Sequence, residues 1–186
     1  LIKKNRNKFT AIFEYKDNKL KIKKSNLRNP FIDGKLNGEV NFSPYFDYNL
    51  DLSLNSMNFT KLYNYFSALN KKEQVELFTI NNKLNGMLNF SADKLYTKHN
   101  LVKSFESRIK FFNGNISIEQ FLLNLGKLGA ADILGTINKD KKFTNFNFES
   151  NIFVDNEKKF ISKFGMYNKK NIPSNLFISG NFDLEN

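Results

Sequence analysis

One pattern recurs along this chain: a run of alternating polar and apolar residues, a short polar or glycine turn, then another alternating run. Leu84 to Ile137 shows it most plainly. The passage opens Leu-Asn-Gly-Met-Leu-Asn-Phe-Ser-Ala-Asp-Lys-Leu, turns at Asn113-Gly114, and continues through Asn124-Leu-Gly-Lys-Leu-Gly-Ala-Ala-Asp-Ile-Leu-Gly135. Successive side chains of a strand point to opposite faces. The pattern therefore dictates a meandering antiparallel sheet with one apolar and one wet face. What happens to the apolar face decides both fold and function.

Phe9 to Tyr15 and Leu20 to Leu27 flank Lys16-Asp17-Asn18-Lys19 and predict a hairpin, with Leu20 and Ile22 on one face and Lys21 and Lys23 on the other. Leu36 to Phe42 is the next strand, broken at Ser43-Pro44. Tyr48, Leu50, Leu52 and Leu54 share a face of the strand after it. The period then changes. Phe59, Leu62, Tyr63, Phe66 and Leu69 have the spacing of one helical face, so a helix is expected from Phe59 to about Asn70 with Asn58 as its N-cap. Lys71 to Phe78 reads as a short further turn or helix.

Strands resume at Leu84. Leu84, Leu88, Phe90 and Ala92 share a face, and Gly86 signals a bulge or a close approach. After a loop near Lys94 to Asn100, Phe105, Ile109 and Phe111 alternate with Glu106, Arg108 and Lys110. Asn113-Gly114 is a hairpin turn, because both residues tolerate positive φ. On the return strand the apolar phase slips by one between Ile118 and Phe121. A bulge there keeps Phe121, Leu123 and Leu125 on the side of Ile116 and Ile118. Gly126 and Gly129 bracket a tight corner, followed by Ala131, Ile133, Gly135 and Ile137 in alternation. Asn138 to Lys142 is a turn, and Phe143 to Val154 a strand with Phe146, Phe148, Ile152 and Val154 in phase. Phe160, Ile161 and Phe164 predict a short helix, and Leu176 to Leu184 a final strand. The expected fold is all-β and mainly antiparallel, with nine or ten strands and one or two short helices. One helix cannot cover so large an apolar face, so the face either closes on itself or holds a ligand.

The net charge of +11 admits nucleic acid or an anionic membrane as a partner. Lys outnumbers Arg 26 to 3, however, and Asn occurs 30 times, a bias that AT-rich codons produce without any partner. Arg, the residue suited to bidentate phosphate contacts, is nearly absent. Where Phe and Lys alternate they face opposite ways, which argues against single-strand nucleic-acid binding. Without Cys there is no disulfide framework, thiolate metal site or Cys nucleophile. No apolar run approaches a membrane span. The chain opens on Leu1 and is expected to be a segment of a longer protein whose membrane anchor lies outside it.

No residue pattern points to catalysis. Asp93, Glu106, Glu119 and Asp132 lie on different strands beside Lys or Asn and read as solvated outer-face acids. His99, the single histidine, sits in the polar loop Thr97-Lys-His-Asn100, a poor metal site. Ser91, Ser104, Ser107 and Ser117 have no His base in pattern. Gly126 and Gly129 lack the Gly-Lys-Ser/Thr context of a phosphate loop. Neither catalytic residues nor a cofactor or metal is expected.

From about Tyr48 to Val154 the chain resembles the AsmA-like family of Gram-negative envelope proteins, which includes TamB and YhdP. The resemblance is carried by the Leu84 and Asn124 passages quoted above and by the helix that follows Asp51-Leu-Ser-Leu-Asn55. The Lys/Asn-rich composition departs from typical members. The resemblance implies an elongated sheet curled into a U-shaped groove, in a periplasmic protein anchored in the inner membrane. It further implies passive phospholipid transport between inner and outer membranes and a part in outer-membrane biogenesis. Leu88, Phe90, Ile109, Phe111, Ile116, Ile118, Phe121, Leu123, Leu125 and Ile133 are then the expected groove lining. Expected partners are phospholipid acyl chains, neighbouring β-repeats of the full-length protein and, weakly, an anionic membrane surface; nucleic acid is not among them. The competing readings are a structural scaffold domain whose apolar face is a dry core, and an extracellular β-sandwich binding module.

Overall fold

The computed structural model of the chain describes residues 2–4, 7–70, 73, 83–139, 144–165 and 174–183. Its strands are β1 (Ile2–Lys4), β2 (Asn7–Lys16), β3 (Lys19–Arg28), β4 (Ile32–Asn41), β5 (Asp47–Asn58), β6 (Gly86–Ala92), β7 (Leu95–Tyr96), β8 (Ser104–Phe112), β9 (Asn115–Asn124), β10 (Gly129–Lys139), β11 (Thr144–Val154) and β12 (Asn175–Asp183). Helix α1 is Phe59–Ser67 and α2 is Glu157–Phe164. All twelve strands join one sheet, whose order β1-β2-β3-β4-β5-β6-β8-β9-β10-β11-β12 follows the chain, with β7 beside the end of β5. Sequence reading counts nine or ten strands. The difference lies in the three-residue β1 and the two-residue β7, too short to show a period. A β-sandwich needs two sheets; the described strands make one, and it does not close into a barrel.

Short turns enforce antiparallel pairing. Asp17 and Asn18 both have positive φ (51° and 58°), as do Asn113 and Gly114 (50° and 82°). These are the conformations a two-residue hairpin needs to match strand twist. The exception follows β5, where the connection carrying α1 brings β6 back parallel to β5, Leu50 beside Leu88 and Leu52 beside Phe90. Asn58 caps α1: its Oδ1 accepts the Lys61 N–H at 2.9 Å. The helix ends at Ser67, about a turn before the expected Asn70. Asn70 and Glu73 then exchange side-chain to backbone hydrogen bonds at 2.9 and 3.0 Å, the reciprocal arrangement that opens a helix. The further turn or helix expected over Lys71 to Phe78 otherwise lies outside the described residues, as do Phe143 and Leu184.

The sheet is long and thinly covered. Eleven strands at ~4.8 Å spacing extend it about 50 Å. The chain exposes 13251 Å², against about 9200 Å² for a compact chain of its mass by surface scaling. Register shifts place extra residues in β3, β5 and β9, bulges that bend strands and curl a sheet. The curl closes toward the apolar face. In β8, Phe105 and Ser107 are buried and Ile109 and Phe111 half-buried, while Glu106, Arg108, Lys110 and Phe112 on the other face are all exposed. Residue type does not explain this: Leu122, Leu134 and Phe153 on the outer face are exposed, whereas Leu123, Ile133 and Ile152 beside them on the inner face are not.

Candidate functional site

Register assembles the inner face into rows that cross the sheet from strand to strand. One row runs Leu20, Val40, Tyr48, Gly86, Phe111, Ile116, Ile137, Phe146, Phe182. The row beside it includes Leu50, Leu88, Ile109, Ile118, Gly135 and Phe148. At the far edge Leu54, Ala92, Phe105, Leu123, Ala131, Ile152 and Leu176 stand side by side. Each row is apolar for most of its length, so the surface is continuous across the sheet.

Nine of the ten expected lining residues share this face: Leu88, Phe90, Ile109, Phe111, Ile116, Ile118, Phe121, Leu123 and Ile133. The bulge falls where the phase slip requires it. Arg108 pairs with Gln120 and Ile109 with Ile118, leaving Glu119 as the extra residue. Leu125 lies beyond β9, in the corner closed by its N–H to the Gly129 carbonyl at 2.9 Å.

Among the described residues, helical cover is confined to one edge. There Leu54, Met57, Ala92 and Phe105 form a buried cluster with Leu62 of α1 packed against it, and Val154 and Phe160 form a second with Ile152, Ile161 and Leu176. Both helices thus sit on the ends of β5 and β11 that share this edge. Between the helices and the opposite edge most inner-face residues are half-buried, with Ile22, Ser107 and Ser150 buried among them. Toward the sheet's ends the same face carries Tyr15 at 64 % and Phe182 at 55 % exposure. A dry core would enclose these side chains; among the described residues the face is closed only locally, under the helices and around Ile22 and Tyr48.

The edge away from the helices carries a ladder of rings that sequence alternation does not reveal. Tyr15, Phe42, Phe46, Tyr48 and Phe111 follow one another at centroid separations of 6.4, 6.1, 6.3 and 5.9 Å. Two of these rings, Phe42 and Phe46, come from the 42–46 loop that contains the Ser43-Pro44 cis peptide bond, where no strand period applies. Burial among the rings pushes the Tyr48 phenol up to about 12. Tyr48 also explains Gly86: a Cβ there would lie 2.6 Å from the Tyr48 ring, and φ is +150°. Gly180 is roofed in the same way by Phe148, which stacks on Phe182 at 5.6 Å. Beside the cluster under α1, Phe90, Phe105 and Phe121 make edge-on contacts at 4.8 and 5.6 Å.

Polar groups on the inner face are few and bonded inward. The Ser107 hydroxyl donates to the Phe90 carbonyl at 2.8 Å, and the Ser25 hydroxyl accepts the Leu36 N–H at 2.6 Å. The outer face holds the charge: Lys19 pairs with Glu39 at 3.2 Å, Lys23 with Glu14, and Asn89 donates to Asp51 at 2.7 Å. Lys23 holds the exposed Glu14 carboxyl below its usual value.

The acids set aside above stay apart. Asp93, Glu106 and Glu119 are exposed, and Asp132 accepts the Asn151 N–H at 2.9 Å. His99 is exposed in its loop, and among the described residues no group of three or more His, Asp or Glu could hold a metal. No helix among the described residues is long and apolar enough to cross a membrane. Comparison with family models, curated proteins and solved structures finds no match to this chain.

Proposed function

We propose that the chain is a lipid-groove module of an envelope protein, conducting phospholipid passively between the inner and outer membranes. The observation that carries this reading is the continuous apolar face, half-buried across most of the sheet and, among the described residues, covered by helices at one edge. An unliganded face of this size is an unfavourable surface to leave in water. Acyl chains would cover it while headgroups stay at the wet opening.

The energetics favour a continuous track. A buried methylene is worth about 0.8 kcal/mol relative to water, so releasing a two-chain lipid costs on the order of 20 kcal/mol or more. Rows of apolar side chains from strand to strand let a lipid advance without crossing that barrier. The tails of one leaflet occupy about half of a ~30 Å hydrocarbon core. An apolar face about 50 Å long has room for more than one lipid in file. The AsmA-like resemblance supports a periplasmic setting, an anchor outside this segment and neighbouring β-repeats that extend the groove.

Photo-crosslinkers at Phe111, Ile118 and Lys110 of the full-length protein test the reading in cells. Phe111 and Ile118 point inward and should capture phospholipid; Lys110, on the outer face, should not. Capture from both faces alike, or from neither in a folded protein, would defeat the groove and leave a structural scaffold as the better account.

A further inference from the structure

With the lipid-groove reading as its premise for what docking accomplishes, we propose that the helix-bearing edge of the sheet docks on an anionic phospholipid bilayer. Exposed aromatic residues border both long edges; positive charge is concentrated at one. On the helix side, α2 brings Lys158, Lys159 and Lys163, and the 93–103 loop brings Lys94, Lys98 and Lys103. Lys61 of α1 and Lys127 in the corner complete eight lysines, against Asp93, Asp155 and Glu157, a local charge of +5. None of the eight has an ion-pair partner among the described residues. At the opposite edge Lys16, Lys19, Lys83, Lys110 and Lys139 stand against Asp17, Glu39, Asp47 and Asp183, a balance of only +1 among the described residues.

The helices also present the apolar bodies that an interface accepts. Leu62 holds α1 to the sheet, while Phe59 and Tyr63, one turn apart, stack at 6.5 Å and are 46 % and 61 % exposed. In α2 Phe160 is buried and Phe164 is exposed. Each helix therefore uses one stripe for the sheet and keeps rings and lysines for an outside surface, the composition of a helix lying in a membrane interface. Five strand spacings separate β5 from β11, so the two helices form contacts about 25 Å apart. Diffuse ammonium groups suit a fluid anionic surface, whereas an Arg-poor edge lacks the bidentate donors favoured for nucleic acid. Docking by this edge would lay the roofed side of the groove along the bilayer and bring its open face within reach of lipid.

The chain contains no Trp, so Phe59→Trp and Tyr15→Trp each place a single fluorescent reporter at one edge. The probes are vesicles of phosphatidylcholine, with or without phosphatidylglycerol. Emission from Phe59→Trp should shift to the blue with phosphatidylglycerol vesicles and not with phosphatidylcholine alone; Tyr15→Trp should not move. A lysine near an anionic surface is worth about a factor of five in partitioning. Lys158→Glu/Lys159→Glu/Lys163→Glu in the Phe59→Trp chain should therefore weaken vesicle binding by at least about 100-fold, the loss of three lysines alone. Lys16→Glu/Lys21→Glu/Lys110→Glu, the same change of net charge elsewhere, should weaken it less than about threefold. Far-UV circular dichroism verifies that each variant is folded. Equal losses from the two triple variants, equal shifts at the two reporters, or tighter binding to a single-stranded oligonucleotide than to phosphatidylglycerol vesicles would overturn the proposal. The groove reading fails separately, as intact vesicle docking without lipid capture at Phe111 and Ile118.

Discussion

Truncating two inner-face residues separates an open face from a closed core. Leu54 is 2 % exposed and enclosed by Met57, Ala92 and Phe105, with Leu62 packed on the cluster. Leu54→Ala removes the transfer energy of a buried side chain and leaves a cavity that α1 cannot collapse into, so about 3 kcal/mol is expected. Ile118 stands in the same sheet between Ile109 and Gly135, half-buried, and belongs to neither buried cluster. Its truncation loses part of the transfer energy and makes no closed cavity, so Ile118→Ala should cost about 1 kcal/mol. Strand propensity falls on going to Ala at both sites, so the contrast between them reports the cover above each. Urea unfolding without lipid or detergent measures it. At a slope of about 2 kcal/mol per molar urea, the two midpoints should differ by about 1 M. Should Ile118→Ala cost as much as Leu54→Ala, some layer roofs the middle of the sheet and the reasoning from an open face is refuted.

Leu62→Asp would place a carboxylate against the Leu54 cluster and should cost about 2–4 kcal/mol; an unchanged melting temperature would show that α1 does not pack through this residue. Tyr48 gives a pH signature. Because burial raises its pKa from 10.0 to about 12, the folded chain keeps a proton that the unfolded chain has released in that interval. The associated stability is complete below about pH 10 and is lost as pH rises through about 12. Tyr48→Phe should lose less stability than wild type over that interval, by on the order of 2 kcal/mol, and parallel pH curves would contradict the burial.

Much of this architecture is legible in the sequence because strand and turn chemistry are local. Asp17-Asn18 and Asn113-Gly114 declare their hairpins through residues that accept positive φ. The phase slip after Ile118 locates a bulge to within a residue, since otherwise Phe121 and Leu123 would face water. Asn58 followed by a helical spacing marks the start of α1. Other features depend on distant partners. Leu95–Tyr96 forms a strand only because the end of β5 is left unpaired beyond Ala92. The aromatic ladder needs Phe42 and Phe46 folded back from a loop onto Tyr15 and Tyr48. Above all, alternation is the same for a filled core and an open groove. The distinction lies in what covers the face, among the described residues two short helices at one edge.

The apolar face also reaches the edge of the sheet without the protection that edges ordinarily carry. Natural sheets guard an edge strand with lysine, proline or a bulge, because its free N–H and C=O groups invite another strand. From Asn175 to Phe182 β12 has no charged residue and no proline, it pairs with β11 in uninterrupted register, and Phe177 is 62 % exposed. No described strand lies on its other side. A further β-repeat pairing along β12 would continue both the ladder of hydrogen bonds and the apolar rows that end at Phe182 and Leu176. Without that neighbour, the 186-residue chain should associate through β12 with itself. Phe177→Lys and Ser179→Lys put charges on the outer face of the strand, leaving Leu176 and Ile178 inward, and should shift the chain toward monomer in sedimentation velocity at matched concentration. An association that ignores both lysines, yet is abolished by a lysine at Ile12 in β2, would move the sticky edge to the other end of the sheet and refute the assignment to β12.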